Sequence, residues 1–86
     1  MFYVYLLKSR KTNKWYLGYT ADLRRRIQQY NSKESLATKA GVPFDLIYYE
    51  AYLLKADAED REKYLKTSMG RRVIRKQLRN YLLSLQ

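Results

Sequence analysis

Tyr3-Val4-Tyr5, Tyr16-Leu17-Gly18 and Arg24-Arg25-Arg26 follow one another at the start of the chain. Phe2 to Lys8 is aromatic and β-branched, as strands are. Ser9 to Lys14 is a polar turn, and Trp15 to Thr20 reads as the second strand of a hairpin. Strand alternation puts Tyr3, Tyr5 and Leu7 on one face and Phe2, Val4 and Leu6 on the other. Tyr16 and Gly18 face opposite to Trp15, Leu17 and Tyr19. The pattern does not fix the hairpin register, so a shared face for Tyr5 and Tyr16 is an expectation.

The arginine run belongs to the next element. Thr20 is a candidate N-cap for a helix over 21–31, with Asp22 in its first turn. Leu23, Ile27 and Tyr30 fall at i, i+4 and i+7 and form its inward stripe. Arg24 and Arg25 then point away, while Arg26 flanks the stripe one turn before Tyr30. Helix geometry therefore selects Arg26 as the arginine able to reach the sheet.

Ser32 to Pro43 reads as a polar loop containing Lys33, Lys39 and Gly41. Phe44 to Leu53 reads as a third strand. A helix is expected over 56–66, with Ala58, Glu62 and Leu65 on its inward stripe. A carboxylate there is costly unless partnered. Gly70 is read as a break, followed by a last helix over 71–85. Its apolar side holds Val73, Ile74, Leu78, Tyr81 and Leu85; its basic side holds Arg72, Arg75, Lys76 and Arg79. The order β-β-α-β-α-α predicts an α+β fold: one three-stranded antiparallel sheet flanked by helices, in a single domain over 1–86.

Composition narrows the chemistry. Eighty-six residues without cysteine exclude a disulfide framework, a thiolate nucleophile and a cysteine zinc site. The absence of histidine removes the usual general base and any Ser-His-Asp triad. Eighteen Lys and Arg against eight Asp and Glu give a net charge of +10, which favours a polyanionic partner, most often nucleic acid. No run approaches a membrane span, and the N-terminus enters a strand-like segment directly, so a cytoplasmic protein without a signal peptide is expected.

The spacing of these residues resembles the GIY-YIG nuclease superfamily. Tyr5 and Tyr16 lie eleven positions apart, Arg26 follows Tyr16 by ten, and Tyr30 follows Arg26 by four. Tyr3-Val4-Tyr5 occupies the Gly-Ile-Tyr motif without its glycine, and Tyr16-Leu17-Gly18 matches Tyr-Ile-Gly with one conservative change. The family arginine falls on Arg26. Many members carry histidine at the position of Tyr30; a tyrosine there resembles the N-terminal nuclease domain of the bacterial excision-repair endonuclease. The family's metal-binding glutamate falls on Glu62. The segment Arg61-Glu62-Lys63-Tyr64-Leu65-Lys66 looks most like the small stand-alone UPF0213-type (YhbQ-like) bacterial domains. Two features depart from the pattern: the family's late asparagine has no assigned counterpart, Asn80 lying far along the last helix, and Tyr19 replaces a lysine found in one branch.

The resemblance implies a DNA endonuclease dependent on Mg²⁺, for which Mn²⁺ can substitute, directed at branched, damaged or single-stranded forms. It implies work in a larger repair or recombination assembly. Catalysis would fall to Tyr5, Tyr16, Arg26 and Tyr30, and metal binding to Glu62. Magnesium keeps several waters and needs one or two carboxylates, so a single glutamate suffices. A phenol with an ordinary pKa near 10 is about one part in a thousand ionised at neutral pH, so a tyrosine base needs help from a nearby cation. Lys39, Arg72, Arg75, Lys76 and Arg79 read as backbone contacts. Neutralising about four to six phosphates gives a salt slope near −4 to −5. The alternative is a non-catalytic nucleic-acid-binding module on the same fold. Tyr3, Tyr48, Tyr49, Tyr52 and Tyr81 read as sheet and core filler, and Glu62 could simply pair with Lys66 or Arg61.

Overall fold

The computed structural model describes residues 1–33 and 36–86; positions 34–35, inside the loop expected over 32–43, lie outside the described residues. The chain runs β1 (Phe2–Ser9), β2 (Trp15–Thr20), α1 (Leu23–Asn31), a 3₁₀ turn (Lys39–Gly41), β3 (Phe44–Tyr52), α2 (Lys55–Leu65), α3 (Ser68–Gln77) and α4 (Arg79–Ser84). The three strands form one antiparallel sheet in the order β2-β1-β3. β1 is therefore central, and its Val4 to Leu7 are all buried.

The register answers the question left by strand alternation. Tyr5 lies opposite Gly18 and Leu7 opposite Tyr16, so Tyr5 and Tyr16 share a face. On that face α1 lays its Leu23, Ile27 and Tyr30 stripe over Tyr5, Leu7 and Phe44. The other face carries Val4 and Leu6, covered by Ala58 and Leu65 of α2 and Ile74 of α3. A bulge between β1 and β3 lets Leu6 pair with Tyr48 and Leu7 with Leu46. Ile47 and Tyr48 both pack on the α2 side as a result.

Three local readings are corrected. Helix α1 starts at Leu23 and is capped by Asp22, whose Oδ1 accepts a hydrogen bond from the Arg25 amide at 3.1 Å. Thr20 instead closes a turn, its hydroxyl accepting from the Asp22 amide at 3.1 Å and donating to the Asp22 carbonyl. Gly70 does not break a helix; it lies in the first turn of α3, which is capped by Thr67 accepting from the Gly70 amide. A Cβ at Gly70 would stand 2.0 Å from the Tyr64 carbonyl oxygen, so this glycine serves close packing of α3 on the end of α2. Finally, the expected last helix is two, divided at Leu78, whose backbone leaves helical geometry. The division moves the expected apolar stripe: Ile74 is buried and Leu78 packs on the core, but Val73 and Leu85 are exposed.

Candidate active site

Tyr5 is buried in the central strand, and its hydroxyl collects two partners. Arg26 Nη1 donates to it at 3.2 Å, and the Tyr30 hydroxyl lies 3.4 Å away. Arg26 and Tyr30 both come from α1, one turn apart. Arg26 is half-buried where Arg24 and Arg25 are exposed, as its position beside the inward stripe requires. Tyr16 joins the same aromatic group edge-on, its ring centroid 6.0 Å from Tyr30 and 5.2 Å from Phe44.

A cavity of about 710 Å³ opens beside this group. Tyr5 and Gly18 line it from the sheet, Arg25, Arg26 and Gln29 from α1, and Lys55 and Glu62 from α2. These helices cover opposite faces of the sheet, so the cavity wraps around the edge strand β2. Tyr5, Arg26 and Glu62, far apart in sequence, are thus brought to one concave surface. Tyr30 stands behind Tyr5 and faces a smaller recess with Arg26 and Thr38. Tyr16 does not line the main cavity; it lines a second groove between the start of β2 and helices α2 and α3.

Glu62 occupies the middle of the α2 stripe between fully buried Ala58 and Leu65. Its side chain is 17% exposed, and one oxygen is paired with Lys66 Nζ at 3.3 Å. Arg61 is not its partner. Arg61 holds Glu50 of β3 through Nε at 2.9 Å and Nη2 at 3.1 Å. Glu50 also accepts from the Tyr48 and Tyr52 hydroxyls. Burial alone would raise the Glu50 pKa, but Arg61 and the two phenols outweigh it and hold the carboxyl below its ordinary value. Tyr48 and Tyr52 are pushed up to about 12, by burial first and then by bonding to Glu50. Two tyrosines read as filler pack on the core and also hold the carboxylate through which Arg61 ties α2 to the sheet.

Among the described residues no group of three or more carboxylate, histidine or cysteine side chains converges. Glu62 lines the cavity with one carboxylate oxygen engaged by Lys66 and the other making no hydrogen bond among the described residues. That donor set fits Mg²⁺, which keeps most of its waters and takes one or two carboxylates. Burial raises the Tyr30 pKa well above that of an ordinary phenol, with the Tyr5 hydrogen bond adding to it. Tyr30 therefore stays protonated and able to donate.

Lys55 and Gln29 are cavity residues not singled out from the sequence. Lys55 lies seven residues before Glu62, hence on the same helix face, so the period that selected Glu62 also points to it. Of the expected nucleic-acid contacts, Arg75 lines the second groove. Lys39, Arg72, Lys76 and Arg79 are exposed and line neither cavity. With α3 starting at Ser68, Arg72 and Lys76 point almost directly away from buried Ile74, whereas Arg71 and Arg75 flank it. Asn80 sits exposed on α4, away from the cavity. Among the described residues no helix is long and apolar enough to cross a membrane.

Residues 1–76 match the model of the GIY-YIG catalytic domain. The UPF0213 protein YazA of Bacillus subtilis is 38% identical over 65 residues, which are 74% of this chain and 65% of that protein. The match thus spans just under two thirds of the relative's length. A UPF0213 protein of Staphylococcus haemolyticus is 39% identical over 66 residues, 76% of this chain and 79% of its own. The solution NMR structure of a UPF0213 protein from Bacillus halodurans aligns over 100% of this chain and 86% of that one, with 31% identity and a TM-score of 0.49. With both tyrosine motifs on one face of the sheet and the family match covering nearly the whole chain, this chain belongs to the GIY-YIG catalytic-domain family, whose domains are of nuclease type.

Proposed function

We propose that this chain is a metal-assisted endonuclease that hydrolyses phosphodiester bonds in DNA. One observation carries the reading: Tyr5, Arg26 and Glu62, from β1, α1 and α2, line a single cavity. The reaction needs a water stripped of a proton, charge stabilisation on the phosphoryl oxygens, and a place for the departing oxygen.

Glu62 would hold Mg²⁺ or Mn²⁺, which when bound supplies Lewis-acid polarisation of the phosphate. Arg26 is placed to bind a phosphoryl oxygen through the guanidinium nitrogens it does not give to Tyr5. Tyr5 is the phenol placed to take the proton of the attacking water, because it lines the cavity and its hydroxyl carries a cation. Tyr30, held protonated, steers Tyr5 by hydrogen bonding and is the weaker candidate for a base. Tyr16 supports Tyr30 and Phe44 from the second strand. Lys55 adds positive charge on the α2 side, where the incoming backbone would pass. The +10 net charge favours a polyanionic substrate. Branched, damaged or single-stranded DNA is the expected target, within a larger repair or recombination assembly in the cytoplasm.

The test is cleavage of supercoiled plasmid and of a branched DNA with Mg²⁺ or Mn²⁺, alongside Glu62→Ala. Metal-dependent nicking that disappears in Glu62→Ala supports the reading. Binding without cleavage under both metals replaces it with a nucleic-acid-binding module on the same fold.

A further inference from the structure

The second groove lies between the start of β2 and helices α2 and α3 and measures about 680 Å³. Lys14, Trp15, Leu17, Lys66, Arg71 and Arg75 are among its lining residues, and no carboxylate is, among the described residues. Four cations with no lining counter-charge make it the most one-sided concave surface described. Trp15 is half-buried, and the Arg75 guanidinium carbon stands 5.1 Å from the centroid of its ring. The groove adjoins the candidate active site. Leu17 lines both, and Lys66, which lines the groove, extends its ammonium to Glu62 in the first cavity.

We infer that this groove is a nucleotide subsite, which seats an unpaired base of the strand flanking the bond to be cut on the Trp15–Arg75 pair. Lys14, Lys66 and Arg71 take the adjoining phosphates. The inference rests on the endonuclease reading for the phrase "bond to be cut", and on the groove alone for the binding. A cationic trough tracks a phosphate backbone, and an aromatic ring within it takes a base by its face. Bases in a duplex are already stacked on one another, so the ring selects an unpaired one. Arg75 serves both terms, because a guanidinium stacks on a π-face while keeping its charge. Lys66 is the seam: it can hold Glu62 or a phosphate of the strand leaving the active site.

Trp15 is the single tryptophan of the chain, so its emission reports this groove alone. The experiment titrates the protein, in EDTA to prevent cleavage, with ten-nucleotide oligothymidylate, ten-nucleotide oligouridylate and a blunt DNA hairpin. Saturable quenching by either single strand, and not by the hairpin, is expected. Labelled oligonucleotide anisotropy then reads the variants. Trp15→Ala weakens single-strand binding about 5- to 150-fold, and Trp15→Phe much less. Arg71→Gln and Arg75→Gln, both exposed and hence harmless to folding, each lower the magnitude of the salt slope by about 0.7. Binding of both single strands without quenching, equal quenching by the hairpin, or unchanged salt slopes would overturn the subsite. Glu62-dependent cleavage without quenching leaves the nuclease reading standing and removes this one; quenching without cleavage does the reverse.

Discussion

Gly18 faces Tyr5 across the β1–β2 ladder so closely that a Cβ on Gly18 would stand 2.4 Å from the Tyr5 hydroxyl oxygen and 2.7 Å from the ring carbon bearing it. The missing side chain is the space through which the Tyr5 ring crosses β2. A glycine in a strand interior ordinarily weakens it; here the neighbouring ring fills the gap.

Gly18→Ala is therefore expected to displace Tyr5 from Arg26 rather than to stiffen the strand. Overpacking of this kind costs about 1–3 kcal/mol. Denaturant unfolding should show that loss, and plasmid nicking should fall much further than stability does. Unchanged nicking would mean that the Tyr5 position is not critical.

Tyr5 and Tyr30 should separate in single-turnover cleavage. Removing a proton acceptor costs about 10²- to 10⁴-fold in rate, so Tyr5→Phe should fall in that range. Tyr30→Phe removes one neutral hydrogen bond, worth about 1 kcal/mol, and should cost about tenfold or less. The reverse order would transfer the role of base to Tyr30.

The Glu50 cluster sets an acid limit on folding. The folded carboxyl ionises below its ordinary value of 4.5. Its stabilisation is then complete above that value and is lost as pH falls through the lower folded one. Glu50→Gln should flatten the fall in melting temperature below pH 4.5. At the alkaline end, Tyr48 and Tyr52 ionise near 12 in the folded protein, so their contribution is complete below about 10 and fades as pH rises through 12. Phenolate absorbance should show these two late, and Glu50→Gln should bring them earlier.

Gly70→Ala tests the corner between α2 and α3. Backbone stands where the methyl would go, and backbone cannot rotate aside. A loss of about 3 kcal/mol or more is expected. Thr67→Ala, which removes only the cap, should cost about 1 kcal/mol. Similar values for the two would show that α3 can tilt away from α2.

Tyr5, Arg26 and Glu62 were legible from local periods: alternation in β1, a place beside the α1 stripe, and the i, i+4, i+7 stripe of α2. Lys55 was legible by the same rule but lies before the stretch whose apolar residues draw attention. Arg71 was passed over because the expected helix began there, although α3 begins at Ser68. That start is set by Thr67, while Gly70 reads from sequence as a stop. The Glu50 cluster was hidden for another reason. Its geometry depends on the bulge opposite Leu6 and Leu7, a property of pairing rather than of either strand. The break at Leu78 has no glycine or proline to announce it.

The two halves of the candidate site reach each other around β2, an outer strand of only six residues. A further strand hydrogen-bonded to β2 would seal the passage between Glu62 and Tyr5. Growth of this sheet, by a second copy or by an appended domain, is compatible with an open site only at β3. An extended peptide that paired with β2 would be an inhibitor needing no contact with any of the reacting groups.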